Sequence, residues 1–345
     1  MKYYFLILTA IFSYQLFSQN LFDKKFFSPS KSTTHELNIE FNDSLNNRTT
    51  LPIIIVKGKN NGKVLTITAG VHGSELAPII ATQELIREIN PSQLRGTLII
   101  IPITNIGAFY RYTPYKNPID QKNINRIFPG KKNGTISEKI AHFIASKIIP
   151  LSDIFLDAHS GDLNEDLLPF VCYYENKKYP KQTKIAKELS EYCGFENVIS
   201  YPYTLNDNEP AKYVFKQASQ SGKIALSFES GKLGFVQQEA VERIKRGYFR
   251  ILDKIGMYKY NDPKGDSEFQ ILKSPIYIKS NNRGILYTDL KAGDKVIKGQ
   301  KLGHITNEFA KRIQVFNSPV TGIILYMLGV PATNINQTVF AISPN

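Results

Sequence analysis

The chain has 345 residues, 42% of them hydrophobic, which is enough for a substantial core and for about two domains. Its formal charge is +13, but the basic residues are scattered, with only short pairs such as Lys24-Lys25 and Lys131-Lys132 and no arginine-rich arm. That distribution argues against a nucleic-acid partner and reads as a solvated basic surface, able to meet anionic polymers or acidic substrates.

The first segment, "MKYYFLILTAIFSYQLFSQN", places Lys2 before an apolar run from Tyr3 to Phe12, then turns more polar and holds the small residue Ser18. This pattern predicts a secretory signal peptide over residues 1–19 and an exported mature chain, periplasmic or extracellular; the alternative is an uncleaved N-terminal anchor. A spanning helix needs roughly 20 apolar residues, and nothing later in the chain approaches that, so no stable membrane insertion of the mature chain is expected. Residues 20–50 are polar and mixed. Apolar runs at 53–56, 64–68, 98–103, 154–156 and 224–228 then predict buried strands. Helical spacing marks 74–90, with Ser74 as a cap, and 135–149, capped by Thr135 or Ser137. It also marks 182–194, closing on Gly194, and 237–256. Strands alternating with helices predict an α/β domain with a mostly parallel sheet. The turn-rich stretch 260–266 reads as a linker, so the boundary is expected near 263, with a catalytic unit over 20–263. Residues 264–345 show short strand-like runs between Gly, Asn and Pro, a small all-β domain. Cys172 and Cys193 form no Cys-x-x-Cys pair, and either a disulfide or two buried thiols suits an exported chain.

Chemistry-bearing residues fall at strand ends. His72 and Glu75 follow "LTITAG", Asn105 follows "TLIIIPIT", His159 follows "IFLDA", and Glu229 closes "IALSF". In open α/β sheets the functional crevice lies beyond the carboxyl ends of the strands, so topology alone sends these residues to one edge. Two imidazoles and a carboxylate form a set that holds a catalytic zinc with a position left open. Taken alone, His72 and Glu75 read equally as a hydrogen-bonded pair at a helix start. Gly70 and Gly73 let the backbone bend around them. Asp157, two residues before His159, is a candidate to hold that imidazole in one tautomer. Arg126 offers a planar fork for a carboxylate, Asn125 adds an amide, and Arg111 is a weaker candidate of the same kind. Glu229 at the end of a buried run is costly unless paired or functional, and it suits a general base. His35, His142 and His304 have no such context.

The order Gly-x-His-Gly-x-Glu, Asn-Arg-x-Phe-Pro-Gly, Asp-x-His, Glu-x-Gly resembles the succinylglutamate desuccinylase/aspartoacylase family, a branch of the zinc carboxypeptidase superfamily. The resemblance covers roughly residues 45–260. It implies a zinc-carboxypeptidase-like fold and one zinc ion per chain held by His72, Glu75 and His159. It implies Asn125 and Arg126 on a substrate carboxylate or carbonyl, and Glu229 as the acid/base. It also implies hydrolysis of the amide of an N-acyl amino acid by metal-activated water. The alternatives are a metallocarboxypeptidase acting on peptides or cell-wall stems, and a non-catalytic binding protein. Where the family reads Asp-Leu-Asn-Arg, this chain has Asn123-Ile124-Asn125-Arg126, an amide in place of a carboxylate. The segments "GDKVIKGQKLG" and "SPVTGII" resemble the barrel-sandwich fold of biotinyl and lipoyl carriers, but the expected hairpin tip in "QVFNSPV" has no lysine. The β domain is therefore expected to be a lid or packing domain.

Overall fold

The structure, a computed structural model, describes residues 20–345. The expected signal peptide at 1–19 lies outside the described residues. Among the described residues, no helix is long and apolar enough to cross a membrane.

The first half of the chain forms β1 (Thr33–Asn42), β2 (Arg48–Lys57), β3 (Asn60–Thr68), α1 (Leu76–Glu88), β4 (Arg95–Ile101), α2 (Ile106–Tyr110) and α3 (Ile136–Phe143). There follow β5 (Ile154–His159), β6 (Glu165–Leu167), β7 (Phe170–Glu175), α4 (Pro180–Tyr192), β8 (Asn197–Pro202), α5 (Val214–Gln220), β9 (Ile224–Glu229), α6 (Gln238–Lys254) and β10 (Gln270–Leu272). All of these strands except β6 share one sheet in the order β1-β2-β4-β3-β5-β9-β7-β8-β10. Its centre is parallel (β4, β3, β5, β9), as are the β7–β8 and β8–β10 pairs, while β1, β2 and the β9–β7 junction are antiparallel. This is the mostly parallel α/β sheet that the alternation of elements predicts.

The central strands are apolar without alternation because both faces are covered. Leu98 and Ile100 of β4 face the layer built by α1, α4 and α6, where Leu85, Leu189 and Ile244 are buried. Ile99 and Ile101 face the opposite layer, with Ile136 and Ile140 of α3 and with Phe22. After β3 the chain fills one side with β4 and then crosses to the other with β5. Such a switch point opens a crevice beyond the strand ends.

Several local expectations change. Residues 33–42 form a full strand, whose Leu37, Ile39 and Phe41 alternate inward; its outward polar positions hid it in a segment that looked patternless. β7 and β8 were likewise not anticipated. Ser74 does not cap α1: the N-cap is Glu75, with no side-chain cap bond, and the Ser74 hydroxyl donates to Asp162 instead. At α3 the cap is Thr135, whose N–H donates to Glu138 Oε2 at 2.9 Å, while Ser137 bonds Asp120. Cys172 and Cys193 are both free and buried, in different clusters.

The C-terminal residues build two antiparallel sheets around Leu286, Leu302, Ile305, Phe316, Ile324 and Phe340. The division at 263 is bridged in both directions. β10 lies past it yet pairs in parallel with β8 of the large sheet. β6, from the middle of the chain, pairs with Tyr326–Leu328 in a C-terminal sheet. The stretch read as a linker is anchored: Arg250, buried on α6, donates to Asp262 Oδ2 at 2.6 Å and to Asp266 Oδ1 at 2.8 Å. Arg250→Met is expected to cost roughly 1.5–3 kcal/mol, the range for hydrogen bonds to charged groups. A fall in Tm on the order of 5 °C checks this by calorimetry.

Candidate metal centre and active site

β3 delivers the chain into a turn that needs two glycines. Gly70 adopts a left-handed φ of +60°, and a Cβ on Gly73 would sit 2.3 Å from the Ala108 carbonyl carbon of α2. With α2 packed that closely, the turn has little freedom, and it sets His72 and Glu75 over the sheet edge. Asn105 contributes as a cap: its Oδ1 accepts from Ala108 N at 3.2 Å.

His72, Glu75 and His159 converge and are 6%, 3% and 4% exposed. His72 Nδ1 lies 2.6 Å from Glu75 Oε1, and His159 Nδ1 lies 2.7 Å from Glu75 Oε2. One donor atom from each falls within 4.8 Å of the others, a spacing that can hold a metal ion. The far side of His159 is fixed: Nε2 lies 2.7 Å from Asp157 Oδ2, and Asp157 Oδ1 accepts from Thr68 Oγ1 at 2.6 Å. A proton on Nε2 facing Asp157 leaves the Nδ1 lone pair turned to Glu75, the tautomer a metal ligand needs. The three donors therefore fit a divalent cation, and two imidazoles with a carboxylate suit zinc among them. Without a cation, burial lowers the His159 pKa, but Asp157 and Glu75 outweigh it and raise it well above the usual imidazole value. Burial would raise Glu75, yet His72 and His159 bring it down to about 2.

Glu229 ends β9 directly across from His159 in the parallel register. Burial pushes its carboxyl well above the ordinary range; His159 offsets part of this, and Glu75, Glu165 and Asp157 add to it. Its place beside His159 suits a group that accepts and returns a proton.

Asn125 and Arg126 sit in a 3-10 turn, Ile124–Arg126. Asn123, the position where the amide replaces a carboxylate, caps that turn by accepting from Asn125 N at 2.9 Å. Asn125 Oδ1 accepts from Val214 N at 3.0 Å, at the start of α5. Arg126 is exposed, its guanidinium 4.7 Å above the Tyr213 ring, with Nη1 donating to Asn125 O. Arg111 is not brought to the metal residues. It is exposed after α2 and lines a cavity of about 620 Å³ with Arg48, Tyr110 and Ile119.

Sequence reasoning missed Tyr115, Asp162 and Glu165. The Tyr115 ring lies edge-on to His72 at 5.3 Å, and its hydroxyl donates to Glu165 Oε1 at 2.8 Å. The acids in "SGDLNED", just after His159, were a usable signal.

The profile of the succinylglutamate desuccinylase/aspartoacylase catalytic domain matches residues 61–255, more than half of the chain. The chain belongs to this family. It is 29% identical over 262 residues to an N-alpha-acetyl-L-2,4-diaminobutyric acid deacetylase of Halomonas elongata, covering 74% of this chain and 73% of that one. It is 23% identical to a succinylglutamate desuccinylase of Pseudomonas aeruginosa, over 59% of this chain and 62% of the relative. Among solved structures, a succinylglutamate desuccinylase/aspartoacylase from Rhodobacter sphaeroides superposes with a TM-score of 0.81 at 22% identity, over 92% of this chain and 96% of that one. The product-bound ectoine utilization protein EutE (DoeB) from Ruegeria pomeroyi gives the same score at 21% identity, over 92% and 97%. At that identity the structures speak for the fold. Family membership and deacylase relatives support an enzyme, a hydrolase.

A His whose folded pKa is raised adds stability that is complete below its unfolded value and is lost as pH rises through the folded one. Metal-free protein is therefore expected to lose stability from about pH 6.5 upward through His159. The raised Glu229 acts in the same direction from its unfolded value upward, because its charged form is the disfavoured one. A bound divalent cation displaces the His159 proton and should flatten that slope. Thermal melts across pH 5–9, with and without zinc, check this; parallel slopes in both states would count against the ligand set.

Proposed function

We propose that the protein is an exported zinc-dependent hydrolase that cleaves the amide bond of an N-acyl amino acid or a similar carboxylate-bearing substrate. The observation that carries this reading is the buried His72–Glu75–His159 set with Glu229 in register beside His159. Export rests on the leader-like residues 1–19.

His72, Glu75 and His159 would hold the zinc ion, which when bound supplies Lewis acidity toward a carbonyl and makes water a better nucleophile at neutral pH. Glu229 takes the proton from the attacking water as the new carbon–oxygen bond forms. It returns that proton to the nitrogen as the carbon–nitrogen bond breaks, so the amine leaves neutral. Arg126 presents its fork to the substrate carboxylate, held in place by Tyr213 and the Asn125 carbonyl. Asn125, its Oδ1 already engaged by Val214, keeps this turn against α5. The near-complete burial of the metal set favours small N-acyl amino acids over peptides.

The test is release of primary amine from N-acyl amino acids and from C-terminally free peptides by residues 20–345. Chelation should abolish release and zinc should restore it. Glu229→Gln should lower kcat by roughly 10²–10⁴-fold, the range for loss of a general acid/base. Arg126→Ala should act mainly by raising KM for carboxylate-bearing substrates. Release from peptides alone would move the protein to the carboxypeptidases. No release by zinc-replete protein would favour a binding role.

A further inference from the structure

The cavity of about 620 Å³ beside α2 has no part in the reaction. None of His72, Glu75, Asn125, Arg126, His159 and Glu229 lines it. α2 forms the partition. Its Ala108, fully buried, meets Gly73 of the metal loop, where a Cβ would come within 2.3 Å of the Ala108 carbonyl carbon. Ile106, Gly107 and Tyr110 line the cavity instead, and in a helix those positions share a side that position 108 does not. The facing wall comes from the ends of β1 and β2, where Arg48 pairs in register with Asn42.

The lining has two parts. Ile106, Pro118, Ile119 and the Tyr110 ring supply apolar surface, and Tyr110 is 71% exposed, so the space is open to solvent. The charged lining residues are Arg48, Arg111 and Glu40, a formal balance of 2 − 1 = +1. Among the described residues, the arginines held in ion pairs are Arg246, Arg250 and Arg283, whereas Arg48 and Arg111 enter none. Two guanidinium groups bordering one concavity repel each other, and an anion seated between them removes that repulsion. Their planar forks match a carboxylate through paired hydrogen bonds. A net charge of one suits a monoanion, and the apolar side gains by covering Ile106, Pro118 and Ile119. The volume lies within the roughly 300–1,000 Å³ typical of small-molecule sites.

We infer that this cavity is a second ligand site, separate from the metal centre, for an organic monocarboxylate with an apolar body. Arg48 and Arg111 bind the carboxylate, and the body lies on the side built by Ile106, Tyr110, Pro118 and Ile119. The sequence groups Arg111 with the substrate residues; the fold turns it to this other space. The site goes beyond the deacylase reading and does not depend on it.

The test is calorimetric titration of the zinc-loaded protein with sodium octanoate, octanamide and sodium acetate. Octanoate is expected to bind, with octanamide and acetate each at least about 10-fold weaker, because one lacks the charge and the other the body. Arg48→Gln and Arg111→Gln change exposed side chains, so the fold should survive, and each should weaken octanoate at least about 10-fold. Arg126→Ala should leave the octanoate affinity within about 2-fold, because that fork serves the reaction centre. No octanoate binding up to about 10 mM overturns the inference, as does equal affinity for octanamide. Loss of binding in Arg126→Ala or on chelation, with Arg48→Gln and Arg111→Gln unchanged, also overturns it, since the acid then sits at the metal. Where N-acyl amino acids are hydrolysed, octanoate competing with them in wild type but not in Arg111→Gln would make the cavity part of the substrate site and sink the claim of a separate one. Failure of the deacylase reading shows in the hydrolysis assay alone and leaves the titration to decide the cavity.

Discussion

The register of three parallel strands governs this molecule. β3 lies against β5 with Thr68 opposite Asp157, and β5 lies against β9 with His159 opposite Glu229. Those two pairings place the Thr68 hydroxyl, the Asp157 carboxylate, the His159 imidazole and the Glu229 carboxyl together at the carboxyl ends of the strands. Side chains alternate along strands, so a slip of one residue would send His159 or Glu229 to the other face. The apolar layers on both faces of the sheet hold that register, which ties the stability of the core to the geometry of the site.

Glu75 is the second fixed point. It is buried, shared by two imidazoles, and low in pKa only because they surround it. A carboxylate so placed demands positive charge nearby, and against the effect of burial Asp157 and Glu75 raise the His159 pKa well above the usual imidazole value. The same demand extends outward to Glu229, Glu165 and Asp162, whose raised pKa values report burial among like charges. The site therefore concentrates buried carboxylates, and a bound cation would satisfy part of their charge.

The C-terminal β domain is joined to the site by backbone pairing. β6 leaves the catalytic sheet's territory to pair with Tyr326–Leu328, and it carries Glu165 at its start. The domain is tied to the catalytic sheet's chain where β6 pairs with Tyr326–Leu328 and where Ala292 N donates to Asp166 Oδ2 at 2.9 Å.

The sequence by itself determined the fold class, the central strands and helices, and the residues at their carboxyl ends. Periodicity and burial are local properties, and the family's motifs are contiguous in the chain. His72, Glu75, His159 and Glu229 could be named because each closes an apolar run. β1 stayed hidden because half of its residues face water, and β7 and β8 because short mixed runs resemble loops. The roles of Ser74, Tyr115, Asp162 and Glu165 were decided only by the tertiary structure. Ser74 bonds across 88 residues to Asp162, and Tyr115 across 50 to Glu165. Which partner a hydroxyl or carboxylate finds at that separation depends on how the sheet is ordered and how α2 packs under the metal loop. No local pattern encodes that, because the competing local partner, the open end of α1, was equally available to Ser74.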